Sequence, residues 1–179
     1  GDEASLRTLG QRILSHCGLR DLSVHIQVFE GERSVDRVSE TGEFQYRHHG
    51  AAAWFAGVRG QTVHFGCSER NLQDGDEGLV GVMAHEVAHA WRHVHGLVVA
   101  DQDLEERLTD LTTIYLGYGV FTVNNTHRYR AYTDGSLSGY AISRAGYLSP
   151  QAMSFLFAAQ VLARRLSWWR EVAKMARSP

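Results

Sequence analysis

The stretch "VMAHEVAHAWRHVHG", from Val82 to Gly96, holds four histidines, His85, His89, His93 and His95, and one glutamate, Glu86. On a helix, residues i and i+4 lie one turn apart on the same face. His85 and His89 can then turn their imidazoles toward one metal ion. Glu86 falls beside that ion, where a carboxylate can take a proton from an activated water. The spacing works only on a helix, and the pattern around it is helical. Val82, Met83, Val87, Ala90 and Trp91 supply apolar surface, and no glycine or proline interrupts the run from Val82 to His95. The competing reading of so short a motif is a chance pair of helical histidines without a metal.

A zinc site that does chemistry takes three protein ligands and keeps one position open for water. His93 stands two helical turns from His85, about 12 Å along a straight helix. Zinc–nitrogen bonds are only about 2.0 Å, so His93 cannot share the ion with both others. His95 follows His85 by ten residues, the spacing of the longer metzincin motif, but that motif needs a glycine where this chain has Arg92. An unbroken helix carries His95 about 15 Å away. The better candidate lies in "LEERLTDL", which contains Glu106 and, four residues on, Asp110. Gly96 ends the first helix and "LVVADQ" turns the chain. A second helix running back antiparallel would set Glu106 opposite the two histidines. Asp110, one turn further on the same face, could accept a hydrogen bond from the distal nitrogen of a ligating histidine and fix its tautomer. Read alone, "EERLTD" would be a solvated face with internal charge pairing.

"HEVAH" followed by "ERLTD" from Glu106 resembles the gluzincin branch of zinc metallopeptidases. The resemblance implies one Zn2+ per chain held by His85, His89 and Glu106, with Glu86 as general base and Asp110 as the orienting carboxylate. Glu105 is the rival ligand, and the spacing to the aspartate favours Glu106. "AHEVAHAW" with the double glutamate also looks like the peptidase module found behind LIM domains in plant growth regulators, which implies an intracellular processing role. These motifs cover about thirty residues of the chain. In zincins generally a sheet precedes the active helix, and its edge strand holds an extended protein or peptide substrate. The strand candidates at 51–57 and 61–66 stand in that place, so strand addition is the expected mode of recognition. An oxyanion donor is expected downstream, where Tyr140, Tyr147, His127 and Arg144 are candidates. The activity so implied is hydrolysis of peptide bonds by a zinc-activated water.

Several elements must position these residues. Residues 2–17 read as an amphipathic helix with Leu6, Leu9, Ile13, Leu14 and Cys17 on one face and Gly18 as its stop. "LSVHIQV" at 22–28 alternates as a strand with one buried face. The polar residues 30–42 read as a loop. "AAAWFAGVRGQTVHFG" reads as two strands about an Arg59-Gly60 turn. Asp76 can cap a helix running to about His95, with Gly96 at its end. A second helix fits 103–118. "RYRAYTDGSLSGYAIS" can form a hairpin about Asp134-Gly135, and Ser149-Pro150 opens a helix that continues to about 176. The expected fold class is α+β: a zincin-like domain with a small N-terminal sheet, the active-site helix, an antiparallel helix with the third ligand, and a C-terminal helix.

The totals set limits. The 179 residues suffice for one domain with a sizeable core, and a single domain over 1–179 is the simplest organisation. The opening residue, Gly1, fits a piece of a longer protein. A net charge of −2 leaves no basic excess for a phosphate backbone, so no nucleic-acid partner is expected. The densest basic group, "ARR" at 163–165, reads as a solvated helix face. "SFLFAAQVLA" at 154–163 is too short to span a bilayer, and no leader precedes the domain, so no membrane partner is expected. Two cysteines, Cys17 and Cys67, make no disulfide framework, and a reducing cytoplasm is the expected compartment. Two other classes remain: a catalytically inactive zinc-binding or interaction domain, and a metal-free protein that binds a partner through its C-terminal helix. Glu86 speaks against the first, because a carboxylate there serves base catalysis rather than metal binding.

Overall fold

A computed structural model of the chain describes residues 2–29, 34–38, 44–47, 53–69, 76–125, 128–134, 137–143, 146–167, 170 and 173. The class is α+β, as the sequence implies. Two compact units follow one another, Gly1–Val98 and Val99–Pro179.

The first unit opens with α1 (Glu3–His16), capped by Asp2, whose carboxylate accepts the Ser5 N–H at 2.8 Å. It buries Leu6, Gly10, Ile13 and Leu14, while Leu9 and Cys17 are only half-buried. Five strands follow: β1 (Ser23–Phe29), β2 (Ser34–Val38), β3 (Phe44–Arg47), β4 (Ala53–Arg59) and β5 (Thr62–Ser68). The main sheet has the order β1-β5-β4, with β1 parallel and β4 antiparallel to β5. Its core residues Val24, Ile26, Val63, Phe65 and Cys67 are buried, as are Met83, Ala84, Val87 and Ala88 of α2 (Asp76–Val94). Gly10 of α1 meets Met83, Val24 and Ile26, so α1, β1 and α2 converge there.

Three sequence expectations change in this unit. The loop expected over 30–42 contains β2, which pairs antiparallel with β3 across a bulge between Val35 and Arg37. "SVDRV" has two β-branched residues but no period-2 pattern, and strand formation there follows the partner strand rather than local preference. The β4–β5 turn is Gly60–Gln61, because Arg59 pairs with Thr62. Finally, β5 lies inside the sheet between β1 and β4, so the candidate at 61–66 has no free edge. The candidate at 51–57 corresponds to β4, an end strand.

α2 ends as its sequence suggests. Gly96, at φ 66°, reverses the chain, and its N–H reaches the His93 carbonyl at 3.1 Å while the Leu97 N–H reaches Arg92 at 2.9 Å. This left-handed cap is one that glycine adopts without Cβ strain. Arg92, only 5% exposed, donates to the Leu97 carbonyl at 2.7 Å. The arginine that replaces the metzincin glycine thus closes the helix end.

In the second unit α3 (Gln102–Thr113) is capped by Asp101, which accepts the Leu104 N–H at 3.0 Å. The expected helix over 103–118 stops at Thr113. A π-helical turn, Ile114–Tyr118, follows, with Gly117 at φ 104°, and then α4 (Gly119–Asn125). A π-turn shifts carbonyls out of the regular ladder. Here Gln160 donates to the carbonyls of Ile114 and Tyr115, and Arg164 donates to Tyr115. That support comes from residues 45 or more positions away, which local periodicity cannot register.

The expected hairpin forms from β6 (Arg128–Asp134) and β7 (Leu137–Ser143), but Asp134 pairs with Leu137, so the connection is 135–136 rather than Asp134-Gly135. α5 (Pro150–Ala163) starts at the Ser149 cap, which accepts the Ala152 N–H at 3.2 Å. It ends at Ala163, where Arg165 turns left-handed at φ 53° and Leu166 closes the helix by donating to the Val161 carbonyl at 2.9 Å; of the continuation expected to about 176, residues 170 and 173 are described and are again helical. Ile114, Met153, Phe157 and Val161 form the core of this unit. Among the described residues no helix is long and apolar enough to cross a membrane.

Candidate metal centre

The helix that the motif requires is present: residues 85–89 lie within α2. The His85 and His89 rings are 4.9 Å apart between centroids and nearly perpendicular, at 82°. Both are half-buried, and Glu86 beside them is 5% exposed. Ala84, Val87, Ala88 and Ala90 of the same helix are buried.

Among the described residues, His85, His89 and Glu106 form a group that could hold a metal ion. Each offers one ligand atom, and these atoms all lie within 4.8 Å of one another. Ligand atoms about 2.0–2.2 Å from a tetrahedral zinc lie roughly 3.4 Å apart. Two imidazole nitrogens and one carboxylate oxygen suit zinc chemically.

Glu105, the rival ligand, has a different use. Its carboxylate is 9% exposed and accepts the Val99 N–H at 2.9 Å, tying the entry of α3 to its first turn. Asp110 is 1% exposed, and its Oδ2 accepts two backbone N–H groups, from Tyr147 at 2.6 Å and from Leu148 at 3.0 Å. These two bonds make Asp110 an anchor for the segment that leads into α5.

His93 and His95 are both exposed, and neither joins the group. His95 stacks on Trp91 at 4.0 Å, and its Nδ1 lies 2.7 Å from the Trp91 carbonyl. His93 packs against Phe55 of β4 at 5.6 Å. Phe55 also lies parallel to His89, at 5° and 6.4 Å, so the end strand of the sheet reaches the ligand helix through this ring. Sequence reasoning missed Phe55. Period-2 alternation assigns it a face, but which face meets α2 depends on the register with β5.

Of the expected oxyanion donors, Tyr147 is described and is 56% exposed. Tyr140 lies on β7 opposite Ala131, with only its backbone described. His127 and Arg144 lie outside the described residues. The cysteines offer no competing chemistry: burial pushes the Cys17 thiol up to about 11, and Cys67 is fully buried.

No protein-family model, no curated protein and no solved structure matches the chain.

Proposed function

We propose that this chain is a zinc-dependent metallopeptidase of zincin-like architecture, with His85, His89 and Glu106 as ligands. One observation carries the reading: the three ligand atoms fall within 4.8 Å of one another beside a carboxylate, Glu86, that is 5% exposed. Metal binding by the other three residues does not need Glu86, whereas hydrolysis needs a base beside the ligands.

Bound zinc would polarise the scissile carbonyl and make water a nucleophile near neutral pH. The chain's residues supply the rest. Glu86 takes the proton from the attacking water and passes it to the leaving amine. Phe55 limits the swing of the His89 ring. An extended protein or peptide substrate can add to β4, the end strand whose Phe55 already touches the ligand helix. A cytoplasmic location is part of the same proposal.

Metal analysis and one variant test it. The wild type should carry one zinc per chain and cleave members of a peptide library. Glu86→Gln should keep the zinc and lose cleavage by at least the 10²–10⁴-fold that general base catalysis contributes, and His95→Ala should change neither. No stoichiometric zinc would sink the reading. Zinc without any cleavage in the wild type would move the chain to the inactive, metal-binding class.

A further inference from the structure

α2 carries histidines at 85, 89 and 93. Each stands one turn after the last, so all three share one side of the helix. The first two belong to the candidate metal group and His93 does not. His93 is exposed and lies about 6 Å beyond His89 along the helix axis. Its ring meets Phe55 of β4, with centroids 5.6 Å apart and planes tilted by 60°. Inclined packing of this kind is the arrangement that aromatic pairs favour. Phe55 also meets His89 at 6.4 Å and Phe65 at 6.1 Å, so three rings gather around it.

The strand leaves Phe55 accessible at a particular point. Ala53, Trp54 and Ala56 are buried, whereas Phe55 is half-buried. Phe55 pairs with Phe65 and Gly57 with His64, so Ala56 is an extra residue on β4. Such a bulge bends the strand and interrupts the ladder, and Phe55 is the last regularly paired residue before it. On a strand added beside β4, the residue opposite Phe55 sets its Cβ about 4.5–5.5 Å from that of Phe55, on the same face. That face is the one whose Phe55 ring reaches α2, so the added side chain comes to lie beside Phe55 and His93. An extended chain rises about 3.3 Å per residue. The step from His89 to His93 therefore corresponds to about two residues of substrate.

We propose that Phe55 and His93 form a subsite for an aromatic side chain, so that the substrates are peptides with Phe, Tyr or Trp within two residues of the cleaved bond. The proposal rests on the peptidase reading above and on substrate addition to β4. A third ring extends an inclined pair through the same edge-to-face contacts and covers the accessible surface of both members. An aliphatic side chain fills the same space without those ring contacts. An acidic one meets a single imidazole and otherwise carbon, and gives up hydration that the subsite does not replace. His93 thus has a task that its distance from the metal group does not give it: it sets which side chain is accepted next to the reacting bond.

A peptide panel tests it, with one aromatic residue moved in turn through every position within two residues of the bond that the zinc-loaded protein cleaves. At one of these positions kcat/KM should exceed that of the alanine-substituted peptide by at least about tenfold, the scale of burying one large apolar side chain. His93→Ala should lower that ratio about 3–10-fold, the scale of one aromatic pair. His93→Phe should keep the ratio, because the subsite uses the ring rather than a hydrogen bond. Reading a ratio of two substrates on one variant separates recognition from any general loss of folding or activity. The subsite alone is overturned by cleavage without an aromatic preference, by a preference for an acidic side chain, by an undiminished ratio in His93→Ala, or by a lost ratio in His93→Phe. A wild type that cleaves no peptide overturns the peptidase reading and the subsite with it.

Discussion

Glu105 and Glu106 are adjacent and chemically identical, yet the structure gives them separable tasks, and exchanging each for alanine should dissociate metal binding from stability. Glu105 is 9% exposed and accepts the Val99 N–H at 2.9 Å. Removing it orphans a half-buried N–H and a charge-assisted hydrogen bond, a loss of about 1–3 kcal/mol. Glu106 belongs to the group that could hold a metal, so its removal should act on zinc binding. Loss of an outer-shell partner weakens metal affinity by 10–100-fold, so loss of a direct ligand should exceed about 100-fold. At free zinc 100 times the wild-type Kd, binding stabilises the wild type by about 2.7 kcal/mol. A variant bound 100-fold more weakly gains only about 0.4 kcal/mol at the same zinc concentration. For a chain of this size that is a thermal shift of roughly 5–11 °C against about 1 °C. Thermal melts of wild type, Glu105→Ala and Glu106→Ala, each with chelator and with buffered zinc, read both quantities. Glu105→Ala should melt lower in chelator and keep the full zinc shift, and Glu106→Ala should lose the zinc shift whatever its melting temperature in chelator. The opposite pattern would refute the ligand assignment, and equal effects would refute the separation of roles.

Other consequences can be checked alongside. Asp110→Ala removes the acceptor of two backbone N–H groups from a site 1% exposed and should cost about 3 kcal/mol or more in urea unfolding; a change under about 0.5 kcal/mol would show that the 147–148 segment does not depend on it. Gly66→Ala would place a Cβ inside the indole of Trp54, and overpacking of this kind costs about 1–3 kcal/mol, so wild-type stability in that variant would dispute the packing of Trp54 on β5. The His64 imidazole is held below its ordinary pKa by burial first, then by His25 and Arg59. The folded chain therefore binds fewer protons than the unfolded one below about pH 6.5, and stability falls on acidification until the lowered folded-state pKa is passed. His64→Gln should flatten that part of the pH–stability curve, and an unchanged slope between pH 7.5 and 5 would remove His64 as a cause.

Much of the fold was legible because its signals are local. Asp2, Asp101 and Ser149 cap helices through their own nearby N–H groups, and Gly96 ends α2 by a conformation that glycine enters freely. The ligand pair was legible for the same reason, since i and i+4 on a helix fix a distance without reference to the rest of the chain. The failures share the opposite property. β2 depends on pairing with β3, and the interior position of β5 depends on β1, whose register partners lie about forty residues earlier. The break of the helix after Thr113 depends on Gln160 and Arg164. None of these partners enters a window of a dozen residues.

Asp110 shows how a correct spacing can lead to an incomplete role. Its position four residues after Glu106 places both on one face of α3, and that much follows from sequence. Its Oδ2 accepts the main-chain N–H groups of Tyr147 and Leu148, 37 and 38 residues away. A buried carboxylate that accepts two backbone N–H groups is strongly constrained, because losing either bond leaves its own charge unsatisfied in a site 1% exposed. The chain entering α5 is therefore fixed one helical turn from Glu106, the proposed third ligand. Tyr147 starts from that anchored backbone with its side chain exposed, so among the expected oxyanion donors it is the described one whose origin is tied to the ligand-bearing helix. The sequence put four names in that role without a distance for any of them, and the anchor supplies the first physical reason to test Tyr147 before the others.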